Sequence, residues 1–182
     1  MENLNLENIR NKRVLVVGLG KSGIAAVQAM LKLGAIVSVQ DSKEAAAVDG
    51  QLLNFLKGKG VECYFHKIPE HVEKFDMLIL SPGVNPELDF IQEAKAGGAE
   101  IIGELEIAYR IARGIFIAIT GTNGKTTTTA LTGAIMKTYF DEVFVVGNIG
   151  IPYTETALET TEKSVTVAEV SSFQLETIMD FH

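Results

Sequence analysis

Two glycine-rich turns, at 18–23 and 121–126, each follow a short apolar run rich in β-branched residues and precede a helical stretch. This order of strand, turn and helix is typical of βαβ units and constrains the chain to an α/β fold. The same alternation predicts strands at 13–17, 36–40, 61–65, 77–80, 115–119, 143–146 and 165–170. Helices are predicted at 21–33, 51–59, 87–96, 125–139 and 152–158. Because the strands are apolar on both faces, they fit parallel sheets covered by helices on each side.

The charge balance and the short apolar runs exclude several classes of protein. Sixteen Lys and Arg residues oppose 23 Asp and Glu residues, and the net charge of −7 argues against nucleic acid or an anionic membrane surface as a partner. No apolar run approaches the ~18 residues that cross a bilayer, so we expect no membrane insertion. Cys63 is the single cysteine, which rules out an intrachain disulfide. We therefore predict a cytoplasmic protein.

The first turn, 18–23, has the sequence Gly-Leu-Gly-Lys-Ser-Gly and matches a dinucleotide-binding fingerprint. Its glycines allow a tight turn and the close approach of a phosphate, and the following helix N-terminus attracts anions. Asp41 lies 21 positions after Gly20, where such folds place a ribose-binding carboxylate, so NAD is the obvious ligand. Two alternatives stay open, in which the glycines only pack the turn and Asp41 only caps the next segment. Ser81 and Gly83 form another turn after strand 77–80.

The second turn has the features of a phosphate-binding loop. In the segment 120–127 (Thr-Gly-Thr-Asn-Gly-Lys-Thr-Thr), successive peptide N–H groups can surround an anion. Lys125 can reach the terminal phosphates of a nucleotide, and the Thr126 hydroxyl can ligate Mg²⁺. The usual spacing would place a glycine where this chain has Ile119, so the first glycine comes two residues later. The predicted ATP-binding residues are Gly121, Thr122, Asn123, Gly124, Lys125, Thr126 and Thr127.

Two further polar residues lie at strand ends in the second half of the chain. Glu169 falls near the end of strand 165–170 and is a candidate Mg²⁺ ligand, since a charged side chain there favours a cation or water. Asn148 follows strand 143–146, which puts it at the same sheet edge as Lys125. Taken alone, a solvated glutamate and a simple turn explain these two residues equally well.

The glycine-containing segment 97–103 separates the two sets of strands and is the best candidate for a domain boundary. We predict a Rossmann-like parallel-sheet domain over 1–102. An incomplete P-loop-type α/β domain that binds ATP is predicted over 103–182, because only three strands are recognisable there.

Three segments of the second half resemble successive signatures of the Mur ligases, ATP-dependent enzymes that build the peptide stem of peptidoglycan. They are 120–126, 147–150 (Gly-Asn-Ile-Gly) and 169–176 (Glu-Val-Ser-Ser-Phe-Gln-Leu-Glu). With the turns at 18–23 and 81–83, the chain is most similar to the member that adds D-glutamate to UDP-N-acetylmuramoyl-L-alanine. The resemblance implies that the first domain holds UDP rather than NAD, and that the family's C-terminal domain is absent from this chain.

The resemblance also implies a role for each matching residue. Lys21 and Ser22 would contact the diphosphate, Asp41 and Ser42 would meet the uracil, and Gln174 would face the muramoyl-alanine end. The full set of implied substrate-binding residues is Gly20, Lys21, Ser22, Asp41, Ser42, Ser81, Gly83, Asn148, Ser171 and Gln174.

The implied reaction transfers a phosphate from ATP to the alanine carboxylate, and the amine of D-glutamate then attacks the acyl phosphate. Lys125 and Asn148 would be catalytic, and Thr126 and Glu169 would hold Mg²⁺. Because the family's later residues and C-terminal domain lie outside this chain, we expect the 182 residues alone to be inactive. The alternatives are another Mur-type amino-acid ligase and a nucleotide-binding module without catalysis.

Overall fold

The computed structural model of the chain describes residues 8–147 and 150–181. Its strands are β1 (Arg13–Val17), β2 (Ile36–Asp41), β3 (Glu62–Phe65), β4 (Met77–Leu80), β5 (Glu100–Gly103), β6 (Ile115–Ile119), β7 (Val143–Gly147) and β8 (Val165–Glu169). Its helices are α1 (Lys21–Lys32), α2 (Gly50–Gly58), α3 (Asp89–Ala96), α4 (Glu104–Ile111), α5 (Lys125–Met136), α6 (Tyr153–Ala157) and α7 (Ser172–Leu175). None of the helices in these described ranges has the length and apolar composition needed to cross a bilayer.

The first five strands form one parallel sheet in the order β3-β2-β1-β4-β5. Alternate residues of β1 face opposite sides of this sheet. Val14 and Val16 belong to the core on the side of α1, whereas Leu15 and Val17 belong to the core on the side of α3. All four are buried, so β1 is covered on both faces as its continuous apolar sequence predicts.

The last three strands form a second parallel sheet in the order β6-β8-β7, with the fully buried β8 in the middle. Helix α5 packs on β8 and β7, and α6 packs against α1 and α4. The two sheets therefore share one core, in which Met30 of α1 and Ile107 of α4 lie in the same cluster as Tyr153 of α6 and Val170 after β8. The predicted α/β fold with two sets of parallel strands is confirmed.

The sequence did not predict β5 or α4. The glycines of the segment 97–103 predicted a boundary between domains. In the structure only the first part of the segment is a turn, in which Gly98 has φ +97°, and residues 100–103 form β5. β5 has four residues and pairs with β4 in parallel, from Glu100 opposite Met77 to Gly103 opposite Leu80. So short a strand carries little periodic signal and depends on the tertiary pairing with its neighbour.

Candidate functional site

The first glycine turn joins the carboxyl end of β1 to α1. Gly18 has φ +88°, and its N–H donates to the carbonyl oxygen of Gln40 in β2 at 2.7 Å. A Cβ at Gly23 would overlap the carbonyl oxygen of Gly18, so only glycine lets the helix begin this close to the strand. Gly20 is the N-cap residue and has no side chain to cap the helix. The N–H groups of the first helical turn are therefore left for an anion.

The strand order places this turn at the switch point of the first sheet. From β1 the chain continues to β2 and β3 on one side and then returns to β4 on the other side of β1. Open α/β sheets bind ligands in the crevice that forms at the carboxyl ends of the strands flanking such a point. Asp41 ends β2 and Ser81 directly follows β4, so both lie at this edge beside the turn.

Asp41 and Ser81 both tie the glycine turn to its neighbouring strands. The carboxylate of Asp41 is buried and accepts hydrogen bonds from the N–H of Leu19 at 2.7 Å and of Lys43 at 2.9 Å. The hydroxyl of Ser81 donates to the carbonyl oxygen of Gly18 at 2.8 Å. Asp41 therefore holds the glycine turn and closes the turn after β2, and its contact with a ligand stays a prediction.

The other predicted residues of the first half lie on the rim of the same crevice. Lys21 and Ser42 are exposed, Ser22 is half-buried, and Gly83 is exposed with φ +87°. The structure thus brings all the predicted substrate residues of the first half to one sheet edge. Their separate roles toward diphosphate and uracil stay predictions.

The second glycine turn lies between β6 and α5. Gly121 has φ +146° and Gly124, the N-cap residue of α5, has φ +77°, and both conformations favour glycine. The Nζ of Lys125 donates to the carbonyl oxygen of Gly121 at 2.7 Å, so the lysine folds back over the loop. Thr122, Asn123 and the first α5 hydroxyls are exposed. The loop is open to solvent and can receive a phosphate chain from outside.

Thr126 and Glu169 meet at the carboxyl end of the second sheet. The hydroxyl of Thr126 donates to Oε2 of Glu169 at 2.7 Å, and Glu169 is only 3% exposed. Glu169 pairs in register with Ile119, the last residue before the loop, and with Gly147 of β7. A hydroxyl and a carboxylate beside a phosphate loop are ligands that Mg²⁺ combines with nucleotide oxygens and water. The described residues hold no cluster of three or more His, Cys, Asp or Glu that could hold a metal ion by itself.

Gly147, the first residue of the 147–150 signature, makes a close backbone contact. Gly147 has φ +129°, and a Cβ there would overlap the backbone of Glu169. Asn148, predicted to be catalytic and to bind substrate, lies outside the described residues. Its neighbour Gly147 donates its N–H to the carbonyl oxygen of Ile151 at 2.9 Å.

Ser171 and Gln174, predicted to face the substrate, form a capping box at the start of α7. The Ser171 N–H donates to Oε1 of Gln174 at 3.0 Å, and the Gln174 N–H donates to Oγ of Ser171 at 3.4 Å. This pairing fixes the amide of Gln174, which is 5% exposed, and its Nε2 donates to none of the described residues.

A cavity of about 260 Å³ lies between the loop after β4 and α7. Ser81, Gly83 and Gln174, three of the predicted substrate residues, line it together with residues that the sequence did not single out. The unpredicted lining residues are Leu80, Pro82, Val84, Asn85, Pro86, Gly103, Glu104, Leu105, Phe173, Glu176 and Thr177. The lining therefore joins the two halves of the chain in one pocket.

Glu104 is the most unusual of these unpredicted residues because its carboxyl group is buried, with 2% exposure. Its Oε1 accepts hydrogen bonds from the N–H and the hydroxyl of Thr154, at 2.7 and 2.6 Å, across the junction of the two halves. Burial raises the pKa of Glu104, and the Thr154 hydrogen bonds oppose that change only in part. A sequence prediction of β5 would have pointed to Glu104, because Glu104 directly follows that strand at the ligand-binding edge.

Two family models match the chain, and their limits follow the two sheets. Residues 12–103 match the N-terminal domain of Mur ligases of the MurD-like type, and residues 119–182 match the Mur ligase middle domain. The chain belongs to the Mur ligase family. The resemblance read from the glycine turns and from the 147–150 and 169–176 segments is thereby confirmed.

Mur ligases that are similar to this chain come from several bacteria. One from Alkaliphilus metalliredigens is 47% identical over 177 residues, which cover 96% of this chain and 39% of the relative. One from Lachnoclostridium phytofermentans is 47% identical over 175 residues, and one from Clostridioides difficile is 43% identical over 175 residues. All three are named UDP-N-acetylmuramoylalanine–D-glutamate ligase. This chain spans about two fifths of the length of these curated relatives.

Proposed function

We propose that the whole protein is an ATP-dependent ligase that adds D-glutamate to UDP-N-acetylmuramoyl-L-alanine for peptidoglycan synthesis. The observation that carries this proposal is the 2.7 Å hydrogen bond between Thr126 and the buried Glu169 beside the second glycine loop. The names of the similar Mur ligases supply the two substrates. A chain with one free cysteine suits the cytoplasm, where we expect the enzyme to act.

The first half is proposed to hold the UDP group of the substrate. The uncapped N-terminus of α1 offers N–H groups for the diphosphate, and Lys21 adds a positive charge at the same exposed edge. The cavity beside the α1 turn is lined by Glu104 and Glu176 and by no lysine or arginine. It therefore suits the uncharged sugar and amide groups of the substrate better than the diphosphate. The Nε2 of Gln174 and the hydroxyl of Ser81 are hydrogen-bonding groups of that lining.

The second half is proposed to bind ATP through residues 121–127. Thr126 and Glu169 fit Mg²⁺ because they supply a hydroxyl and a carboxylate next to the phosphate loop. When bound, Mg²⁺ would neutralise charge on the phosphoryl group that is transferred. Lys125 would exchange its contact with the Gly121 carbonyl oxygen for a phosphate oxygen and so stabilise the same charge.

The proposed chemistry joins two carboxylate-bearing substrates through an activated intermediate. The alanine carboxylate attacks the terminal phosphorus of ATP, which gives an acyl phosphate and ADP. The D-glutamate amine then attacks the acyl carbon, and phosphate leaves as the amide forms. Lys125 and Asn148 are the proposed catalytic residues. Since the chain spans about two fifths of its relatives, we expect these 182 residues to bind ligands without completing the ligation.

Ligand binding to the purified chain tests this proposal. We expect UDP-N-acetylmuramoyl-L-alanine, UDP and Mg-ATP each to raise the melting temperature, and NAD to leave it unchanged. Lys125→Met should weaken Mg-ATP binding by about tenfold or more in calorimetric titration, because a charged contact to phosphate is lost. UDP binding should be unaffected by this substitution.

Lys137→Met is the matched control, because Lys137 is exposed at the far end of α5. It should bind every ligand as the original chain does. Stabilisation by NAD but not by UDP would contradict the ligase proposal and favour a dinucleotide-binding module. Unchanged Mg-ATP affinity in Lys125→Met would contradict the assignment of the ATP loop.

A further inference from the structure

The segment after α7 is held by the buried carboxylate of Glu106, a residue of α4. Glu106 of α4 has no exposed surface. Its two oxygens accept hydrogen bonds from three consecutive backbone N–H groups, those of Met179 at 2.9 Å, Asp180 at 3.0 Å and Phe181 at 3.2 Å. A carboxylate that gathers successive N–H groups holds a backbone segment in one conformation, since each bond is assisted by the charge.

Arg110 completes a charged network around the same segment. Its Nε lies 2.6 Å from Oε1 of Glu106 and 2.9 Å from Oδ2 of Asp180, and its Nη1 lies 2.7 Å from Oε1 of Glu100. The Arg110 side chain is 6% exposed, so its contact with the buried Glu106 is shielded from water, whereas Asp180 is 66% exposed. The network therefore links β5, α4 and the segment after α7.

Two further contacts dock the segment at its ends. At one end, the N–H of Gly103 donates to the carbonyl oxygen of Thr177 at 3.2 Å, and a Cβ at Gly103 would overlap the Thr177 side chain. At the other end, the ring of Phe181 packs edge-on against Tyr109 and Phe116, with ring centres 5.2 and 5.3 Å apart. The segment is thus fixed against β5 at Thr177 and against α4 and β6 at Phe181.

From these contacts we infer that Glu106 is a positioning residue for the substrate cavity, acting through the segment 177–181. Gln174, Glu176 and Thr177 form one wall of that cavity and precede the segment or begin it. The opposite wall is formed by residues 80–86, the end of β5 and the start of α4. Glu106 does not line the cavity, so it sets the separation of the two walls and not the chemistry between them. This inference rests on the proposed function, which places the sugar and amide groups of the substrate in the cavity.

The inference predicts a selective loss of affinity in Glu106→Gln. The amide cannot accept from all three N–H groups, so the segment loosens and the cavity wall moves. UDP-N-acetylmuramoyl-L-alanine should bind about tenfold more weakly or worse in calorimetric titration, the loss expected for one charge-assisted hydrogen bond. UDP alone, held at the α1 turn, should keep its affinity within about twofold, and amide exchange should accelerate at 179–181.

Phe181→Ala releases the same segment from its other end without touching the cavity, and it should show the same selective loss. If Glu106→Gln does not fold, the Phe181→Ala variant alone tests the inference. Glu93→Gln, an exposed glutamate on α3, is the matched control and should change neither affinity. Equal loss of both ligands, or no loss of either, would overturn the inference. If the original chain binds UDP but not UDP-N-acetylmuramoyl-L-alanine, the proposed function fails and the inference fails with it.

Discussion

Two glutamates of α4, two positions apart, have opposite electrostatic environments at the junction of the halves. Burial raises the pKa of Glu104, whose carboxyl has only the Thr154 hydrogen bonds to compensate. Burial also acts to raise the pKa of Glu106, but the N–H groups of Met179 and Asp180, together with Arg110, lower it overall. The fold therefore favours the charged form of Glu106 and disfavours the charged form of Glu104.

The raised pKa of Glu104 predicts how the stability of the chain depends on pH. A group whose folded pKa is raised contributes stability that is present below its unfolded pKa, about 4.3, and lost as the pH rises through the folded pKa. Glu104→Gln keeps an oxygen acceptor for Thr154 and removes the buried charge. We expect its unfolding free energy at pH 8 to equal or exceed that of the original chain by up to about 2 kcal/mol.

Urea unfolding at pH 4, 6 and 8 measures this effect, and the advantage of Glu104→Gln should shrink as the pH falls toward 4. Glu155→Gln, on the exposed face of α6, serves as the control and should follow the original chain at each pH. A variant less stable than the original at pH 8 by more than about 1 kcal/mol would show that the carboxylate itself stabilises the junction.

At the scale of the elements, the second sheet depends on glycines that let backbones approach. β8 is the central strand and carries Glu169 at its carboxyl end, in register with Ile119 of β6 and Gly147 of β7. Gly147 can lie this close to the Glu169 backbone only because it has no Cβ. Gly147 therefore packs against the backbone of the residue whose carboxylate accepts the hydrogen bond from Thr126.

Gly147→Ala tests this dependence of the site on the sheet. Because φ is +129° and the new Cβ would overlap the Glu169 backbone, we expect a loss of about 2–4 kcal/mol in unfolding free energy. Mg-ATP affinity should fall as well, since Glu169 must shift. Gly58→Ala, where a Cβ at the end of α2 meets nothing within 4 Å, should be neutral or gain up to about 1 kcal/mol. A tolerated alanine at 147 would contradict the close contact.

At the scale of the whole molecule, the two sheets are joined through a shared core. Side chains of α1 and α4 lie in one apolar cluster with side chains of α6, β7 and β8. The stacked rings of Phe116 and Tyr153, with centres 5.0 Å apart, extend this contact between β6 and α6. Neither half can therefore unfold without exposing apolar surface of the other.

The shared core predicts a single cooperative unfolding transition for this chain. In scanning calorimetry, the calorimetric and van't Hoff enthalpies should agree, and UDP should raise the melting temperature of the whole chain, including the half that it does not contact. Far-UV circular dichroism and near-UV absorption of the tyrosines should give the same midpoint. Two resolved transitions would show that the halves are independent.

The sequence by itself determined seven of the eight strands of the described residues and the two glycine turns. Strands 13–17, 77–80 and 115–119 were predicted to the residue, because continuous apolar runs beside glycine turns carry a strong local signal. The pairing of Thr126 with Glu169 could also be anticipated, since the carboxyl ends of parallel strands meet at one sheet edge.

Only the tertiary structure decided where β5 and α4 lie and what they do. β5 has four residues next to two glycines, so its identity comes from pairing with β4 and not from its own pattern. Glu104 and Glu106 then lie at the junction of the halves, where burial and partners distant in the chain set their pKa values in opposite directions. Those partners, Thr154 and the 179–181 backbone, are far from α4 in the chain, and no local pattern of residues records such long-range contacts.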